Sequence, residues 1–321
     1  MIITVTLNPA IDKTIEVNNF KLGDVNRVSS VRLDAGGKGI NVSKVIKEIG
    51  GQSKVFGLVG GRTGEFIIQY LRQRDISEDL VKISQETRTN IKIVDKINKV
   101  VTEINEKGKE VTSEEIEELK NKIYENVTSD TVIVFSGSVP SNIQKTIYKE
   151  LIEVCNEKGA KTILDADGEL LFEGLKGKPY LIKPNIHELE KCFGKKFKDY
   201  NEIISLAHQI ISTGTKNVFI SMGAYGSIFV DKEYAILIEP IKTTIKSTVG
   251  AGDSLVAGMA YSIDKGLSLE KALKLSTASA TASVMMEGTQ TGKLKEIKEL
   301  EKKVKLKYLK EGDNYAINTA Y

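Results

Sequence analysis

The sequence predicts an α/β protein with a mostly parallel central sheet covered by helices on both faces. Three observations carry that expectation. Short strand-like runs alternate with helical periodicity through most of the 321 residues. Those runs are continuously apolar, as strands buried on both faces are. Two segments break the rhythm with period-two alternation, the mark of antiparallel strands.

Taken in order, Ile2 to Leu7 reads as a strand, and Thr14 to Val17, onward to Val31, is a strand-like excursion. Val42 to Ile49 is helical, Lys54 to Val59 a strand, and Glu65 to Arg74 helical. Thr87 to Ile104 alternates with period two around Asp95 to Lys99 and predicts a hairpin, which could pair with the first excursion as a small separate sheet. Thr112-Ser113-Glu114-Glu115 offers a capping box for a helix running to about Tyr124. Thr131 to Phe135, Thr162 to Leu164, Tyr180 to Ile182 and Val218 to Ser221 are apolar strands, with helices at Ile143 to Asn156 and Glu202 to Ser212. Gly226 to Val230 and Tyr234 to Ile238 predict a second hairpin, and helices follow at Ala251 to Ile263 and Leu269 to Met286. From Lys293 to Lys310, lysine and glutamate interleave with leucine, which reads as a solvated amphipathic helix. With no repeat and no flexible linker, the chain reads as one unit over 1–321.

The composition, 40% hydrophobic and 28% charged with 27 Gly and five Pro, is that of a folded globular chain and excludes disorder. A formal net charge of +3, with acids mixed among the lysines, leaves no segregated basic face for nucleic acid. No apolar run approaches the roughly 18 residues of a membrane helix, and no secretory leader is legible at the N-terminus. A cytoplasmic protein with two ordinary thiols, Cys155 and Cys192, is expected. Only two histidines, His187 and His208, are present, so neither a His-rich zinc site nor a Ser-His-Asp triad has support. All six arginines fall within the first 88 residues.

Pro9, Pro140 and Pro184 each follow a predicted strand, where loops in open α/β sheets bind ligands. Gly250-Ala251-Gly252-Asp253 opens a helix whose unobstructed first-turn amides suit phosphate oxygens. Asp253 there is either a charge partner of the helix dipole or a base for a substrate hydroxyl, and spacing alone weights the two similarly. Asp34-Ala35-Gly36-Gly37-Lys38-Gly39-Ile40-Asn41 is a second glycine-rich helix opening, and Lys38 adds a point charge for an anion. It is not a Walker A loop. Two such loops far apart fit a bisubstrate enzyme with two anionic ligands.

At this point the residues resemble a known family. Gly36-Gly37-Lys38-Gly39-Ile40-Asn41-Val42 and Ser247-Thr248-Val249-Gly250-Ala251-Gly252-Asp253-Ser254 are similar to the two signatures of the ribokinase-like (phosphofructokinase B) carbohydrate kinases. Lys183-Pro184-Asn185-Ile186-His187-Glu188 resembles that family's Asn-x-x-Glu element. Thr6 to Asp12 and Thr87 to Lys92 narrow the match to the branch that phosphorylates fructose 1-phosphate or tagatose 6-phosphate. Thr102-Glu103-Ile104-Asn105 resembles the former, whereas Glu106-Lys107-Gly108-Lys109 lacks the Gly-Pro that commonly follows.

The resemblance implies a three-layer α/β/α sandwich with a β-sheet lid from about 12–33 and 87–106, and ATP-dependent phosphorylation of D-fructose 1-phosphate at its 6-hydroxyl. The alternatives are tagatose-6-phosphate kinase activity and a non-catalytic sugar-phosphate-binding regulator. Asp253 would be the base, and the amides of Gly250, Ala251, Gly252 and Asp253 the anion hole. Asn185 and Glu188 would organise Mg²⁺, mainly through water. Lys183, Asn185, Ser221, Gly223 and Gly226 would line the ATP side. Asp12, Gly36, Gly37, Asn41 and Ser138 would face the sugar, and Lys38, Arg88, Arg27 and Lys92 its phosphate. Related lids often make a dimer contact, so a homodimer through the lid is an expectation. Arg32, Arg62, Arg72 and Arg74 read as ordinary surface residues.

Overall fold

The computed structural model describes residues 1–309. Its elements begin with β1 (Ile2–Thr6), β2 (Ala10–Val17), β3 (Val28–Gly36), α1 (Lys38–Glu48), β4 (Ser53–Val59), α2 (Gly61–Arg72), β5 (Ser77–Lys82), β6 (Arg88–Asp95) and β7 (Val100–Asn105). They continue with α3 (Ser113–Asn126), β8 (Val132–Ser136), α4 (Ile147–Glu157), β9 (Lys161–Asp165), α5 (Gly168–Leu175), β10 (Leu181–Ile182), α6 (Ile186–Phe193), α7 (Tyr200–Ser212) and β11 (Asn217–Ser221). The last are β12 (Ser227–Val230), β13 (Ala235–Ile238), α8 (Ala251–Asp264), α9 (Leu269–Val284), α10 (Leu294–Glu301) and β14 (Leu306–Leu309).

The main sheet has ten strands in the order β14-β13-β12-β11-β10-β9-β8-β1-β4-β5. From β11 through β5 every pairing is parallel, and β12, β13 and β14 add antiparallel strands at one edge. Strand side chains alternate between two cores, as a covered sheet requires. Ile133 and Phe135 of β8 pack with the α3, α4 and α7 side, and Val132 and Val134 with the α1, α8 and α9 side. The chain leaves β1 for β4 on one side and returns to β8 on the other. The carboxyl ends of β1 and β8 therefore flank a topological switch point, where α/β sheets open a ligand crevice.

The two sequence excursions do form a separate sheet, ordered β3-β2-β6-β7. Asp95 pins both of its turns, accepting hydrogen bonds from the backbone amides of Asn19, Phe20, Ile97 and Asn98 at 2.7–3.1 Å. Strand β2 starts at Ala10 and β3 runs to Gly36, so the first glycine-rich stretch begins on a strand.

Several elements differ from the sequence expectation. Strand β5, whose Ser-Glu-Asp-Leu-Val-Lys has no clean period, and the short helices α5 and α6 were not legible. The helix expected from Ile143 begins only at Ile147. The expected solvated helix over 293–310 instead ends at Glu301; Ile297, Leu300 and Val304 are buried against the α8 and α9 core, and β14 then pairs with β13. Lys310 lies outside the described residues. Among the described residues no helix is long and apolar enough to cross a membrane. Cys155 is fully buried, which pushes its thiol up to about 12.

Candidate active site

Two glycines set the helix openings because their backbones take conformations that side chains disfavour: Gly37 caps α1 at φ 114° and Gly250 caps α8 at φ 82°. Neither cap carries a side-chain hydrogen bond, so the first-turn amides of both helices remain available to anions. The helices converge. Asn41 of α1 donates from Nδ2 to Oδ2 of Asp253 in α8 at 2.8 Å, with both residues buried.

Asp165, at the carboxyl end of β9, is the centre of charge and was missed by the sequence reasoning. Its Oδ1 lies 3.1 Å from Lys38 Nζ and 3.4 Å from Lys183 Nζ. The aspartate side chain is fully buried and that of Lys183 nearly so. Burial opposes the charge of Asp165, but Lys183 and Lys38 outweigh it and hold the carboxyl below its ordinary value. Burial likewise opposes the charge of Lys38, yet Asp165, Asp253 and Glu188 raise its pKa. Asp253 has the opposite balance. Burial first, then the negative charge of Asp165, pushes it up to about 6, against the partial relief of Lys38, Asn41 and Lys183. A signal for Asp165 did exist, since it ends an apolar strand beside the crevice. No glycine or proline flags it.

Lys183 also meets the α8 turn: a Cβ at Gly252 would stand 3.2 Å from its Nζ. Asn185 and Glu188 cap α6 reciprocally, each backbone amide donating to the other's side chain at 2.8 Å. Ser221 bridges to Asn185, and Gly223 opens a short 3₁₀ turn beside them. Gly226 also has a packing reason, because a Cβ there would strike the carbonyl of Ile238.

On the other side, the four-stranded sheet presents Asp12, which is buried and accepts from Asn90 Nδ2 at 3.1 Å. Gly36 makes room for that carboxylate, since a Cβ would fall 2.6 Å from it. Arg88 donates to the carbonyls of Glu106 at 2.9 Å and Asn8 at 3.1 Å, and Asn8 donates to Ser138 Oγ at 3.1 Å. Glu106, the first residue of the segment that lacks Gly-Pro, is thus tied to Arg88.

Of the two other expected phosphate ligands, Lys92 pairs with Thr14 and shares the face that carries Asp12, whereas Arg27 lies farther out. Lys92 is buried in the small sheet 3.8 Å from Glu103, and Arg27 is on the exposed β2–β3 connection, without a hydrogen bond or ion pair among the described residues. Of the nine buried side-chain atoms without a partner among the described residues, five belong to residues named above or at the carboxyl ends of β1 and β8: Thr6 Oγ1, Asn41 Oδ1, Arg88 Nε, Ser136 Oγ and Asp165 Oδ2. Buried polar groups are normally satisfied, so this concentration suits a site that ligand or water completes.

A hard, oxygen-rich donor set suits Mg²⁺. Among the described residues no group of three or more His, Cys, Asp and Glu could grip a metal directly. The buried, unpartnered Oδ2 of Asp165 fits an ion held largely through its own water.

The model of the "pfkB family carbohydrate kinase" matches residues 5–296. The 1-phosphofructokinase of Borreliella burgdorferi is 39% identical over 286 residues, covering 89% of this chain and 92% of the relative. That of Bacillus subtilis is 34% identical, covering 89% and 93%. The crystal structure of Escherichia coli phosphofructokinase-2 in complex with potassium superposes with a TM-score of 0.90 at 27% identity, covering 94% of this chain and 98% of that one. Agreement across signatures, fold and length places the chain in one group: it belongs to the pfkB family of carbohydrate kinases.

Proposed function

We propose that the protein transfers the γ-phosphoryl group of ATP to the 6-hydroxyl of D-fructose 1-phosphate, giving fructose 1,6-bisphosphate and ADP. The observation that carries this is the convergence of the two glycine openings on Asp253. Asn41 holds one carboxylate oxygen, leaving Oδ1 to take the hydroxyl proton as the sugar oxygen bonds to phosphorus and the bond to ADP breaks. The amides of Gly250 to Asp253 and Lys183 hold the transferring group, since phosphoryl transfer needs positioning and charge stabilisation more than a protein nucleophile. Mg²⁺, when bound near Asn185 and Glu188, would neutralise phosphate charge. Lys38 and Arg88 face the acceptor's phosphate, and Asp12 its hydroxyls. The 1-phosphofructokinase relatives, at 31–39% identity over most of the chain, support this acceptor over tagatose 6-phosphate. Such chemistry belongs in the cytoplasm, where ATP is abundant.

A coupled ADP-release assay with fructose 1-phosphate, tagatose 6-phosphate and fructose 6-phosphate at equal concentration tests the reading. Highest kcat/KM with fructose 1-phosphate is expected. Preference for tagatose 6-phosphate overturns the acceptor, and no release with any sugar makes the chain a binder.

We also infer a homodimer through the small sheet acting as a lid. One of its faces carries Ile15, Val31, Leu33, Ile91, Ile93 and Ile104, and Val31, Leu33 and Ile104 are 54%, 43% and 53% exposed. Apolar strands this open invite a partner. Escherichia coli phosphofructokinase-2 has a tetrameric inhibited form. Sedimentation of wild type beside the Leu33→Lys, Ile104→Lys double variant checks it, and an unchanged mass removes the inference.

A further inference from the structure

We propose that Arg32 is a positioning residue that fixes the four-stranded sheet against the turn holding the phosphoryl group, so that the sugar-bearing side and the phosphoryl-bearing side meet in register. The inference rests on the reading of that sheet as the sugar side. Arg32 looked like a surface arginine in the sequence, but its side chain is only 30% exposed. It lies on β3 opposite Thr14, one pleat from the Asp34–Asp12 pair, and therefore shares the face that carries Asp12. Asp34 Oδ2, two residues on along β3, accepts from its Nε at 2.8 Å and fixes the guanidinium on that face of the sheet. The far nitrogen, Nη2, donates to the carbonyl of Glu287 at 3.4 Å, across 255 positions.

The segment it reaches is the one just after α9. Gly288 stands at the contact with φ 62°, and a Cβ there would fall 2.8 Å from Arg32 Nη2 and 3.9 Å from Thr14 Oγ1. The same segment borders the phosphoryl-holding turn. Thr289 Cα lies 3.9 Å from a Cβ built on Gly250, and the end of α9 just before the segment meets the same region, with Ser283 Oγ at 3.7 Å and the Val284 carbonyl accepting from the amides of Lys246 and Ser247. The tie thus runs from β3, the neighbour of Asp12's strand, through Arg32 to the 287–289 segment that borders Gly250. Loss of that tie lets the small sheet drift relative to α8. Misplacement of about 1 Å in a reacting pair can cost on the order of a hundredfold in rate, and a poorly seated lid admits water.

The test uses the full chain carrying Arg32→Ala, with wild type as reference. The expected result has three parts: KM for fructose 1-phosphate rises by about tenfold or more, KM for ATP moves by less than about twofold, and ADP release exceeds bisphosphate formed because water takes phosphoryl groups. Added guanidinium ion should restore the ratio toward one. Unchanged KM with one ADP per bisphosphate overturns the proposal, as does a parallel loss toward both substrates with a lowered Tm. If Arg32→Ala does not fold, Arg32→Gln is read in the same way. Failure of wild type to use fructose 1-phosphate counts against the function above instead; the Arg32 comparison is then made with whichever phosphosugar is turned over.

Discussion

Asn41 Nδ2 lies 2.8 Å from Asp253 Oδ2, a bond between residues 212 positions apart that joins the opening turns of α1 and α8. A buried hydrogen bond to a carboxylate contributes roughly 1.5–3 kcal/mol. It holds one oxygen of the carboxyl group and leaves the other without a hydrogen-bond partner among the described residues, which the proposed role as a base requires.

Asp253→Asn should lower kcat by about 10²–10⁴-fold, the usual worth of a general base, while fructose 1-phosphate still binds with near-normal affinity. The pH profile carries a second expectation. With Asp253 pushed up to about 6, kcat/KM should fall as pH drops through about 6 in wild type. The folded group holds its proton more tightly than the unfolded one, so stability declines as pH rises from the ordinary 3.8 to about 6. The Asp253→Asn variant avoids that cost, and its Tm above pH 6 should exceed that of wild type by roughly 2–5 °C. Near-normal turnover in this variant would remove Asp253 as the base.

Asp165→Asn separates the two roles of the central carboxylate. Its negative charge helps to raise Asp253, so its loss should move the acid limb of kcat/KM to lower pH. It is also the shared partner of Lys38 and Lys183, and removing one member of a buried ion pair costs about 3–5 kcal/mol. Its own lowered pKa gives stability that is present above the unfolded carboxyl's pKa and lost in acid, so the Tm deficit should be largest near neutral pH. An acid limb that stays in place would show that burial alone raises Asp253.

What the sequence revealed and what it hid follow from the range of the interactions. Gly37 and Gly250 were legible because positive φ at a helix opening is a local demand that few residue types meet. Asp12 and Asn185 were reached through short motifs. Asp165 was not, because its partners lie 127 and 18 positions away and the strand it ends would look the same with any polar residue there. Arg32 reaches Glu287 across the whole fold, and β14 exists only because β13 offers an edge to pair with. Such features arise in packing, beyond the window in which periodicity operates.

Gly36→Ala probes the sugar side by shape alone. Gly36 is not at positive φ, so alanine costs no backbone strain, but its Cβ would fall 2.6 Å from the Asp12 carboxylate. That aspartate must turn away, abandoning Asn90 and the crevice. KM for the phosphosugar should rise about tenfold or more with little change in KM for ATP, and Asp12→Ala should add nothing further in the Gly36→Ala background, because the two changes remove the same contact. Additive losses would mean that Asp12 acts independently of the Gly36 gap.

Arg88→Lys tests whether the guanidinium of β6 recognises phosphate or only ties loops together. Its Nη atoms already serve the carbonyls of Glu106 and Asn8, while Nε is buried without a partner. Lysine keeps the charge but cannot span both carbonyls, nor can it offer a planar fork to a phosphate. If Arg88 faces the acceptor's phosphate, KM for fructose 1-phosphate should rise about tenfold while kcat changes by less than about threefold. If it is only a tether, the loss should appear in Tm and leave KM alone. The buried, unpartnered Nε favours the first outcome, because a donor buried in a purely structural arginine would be expected to be used.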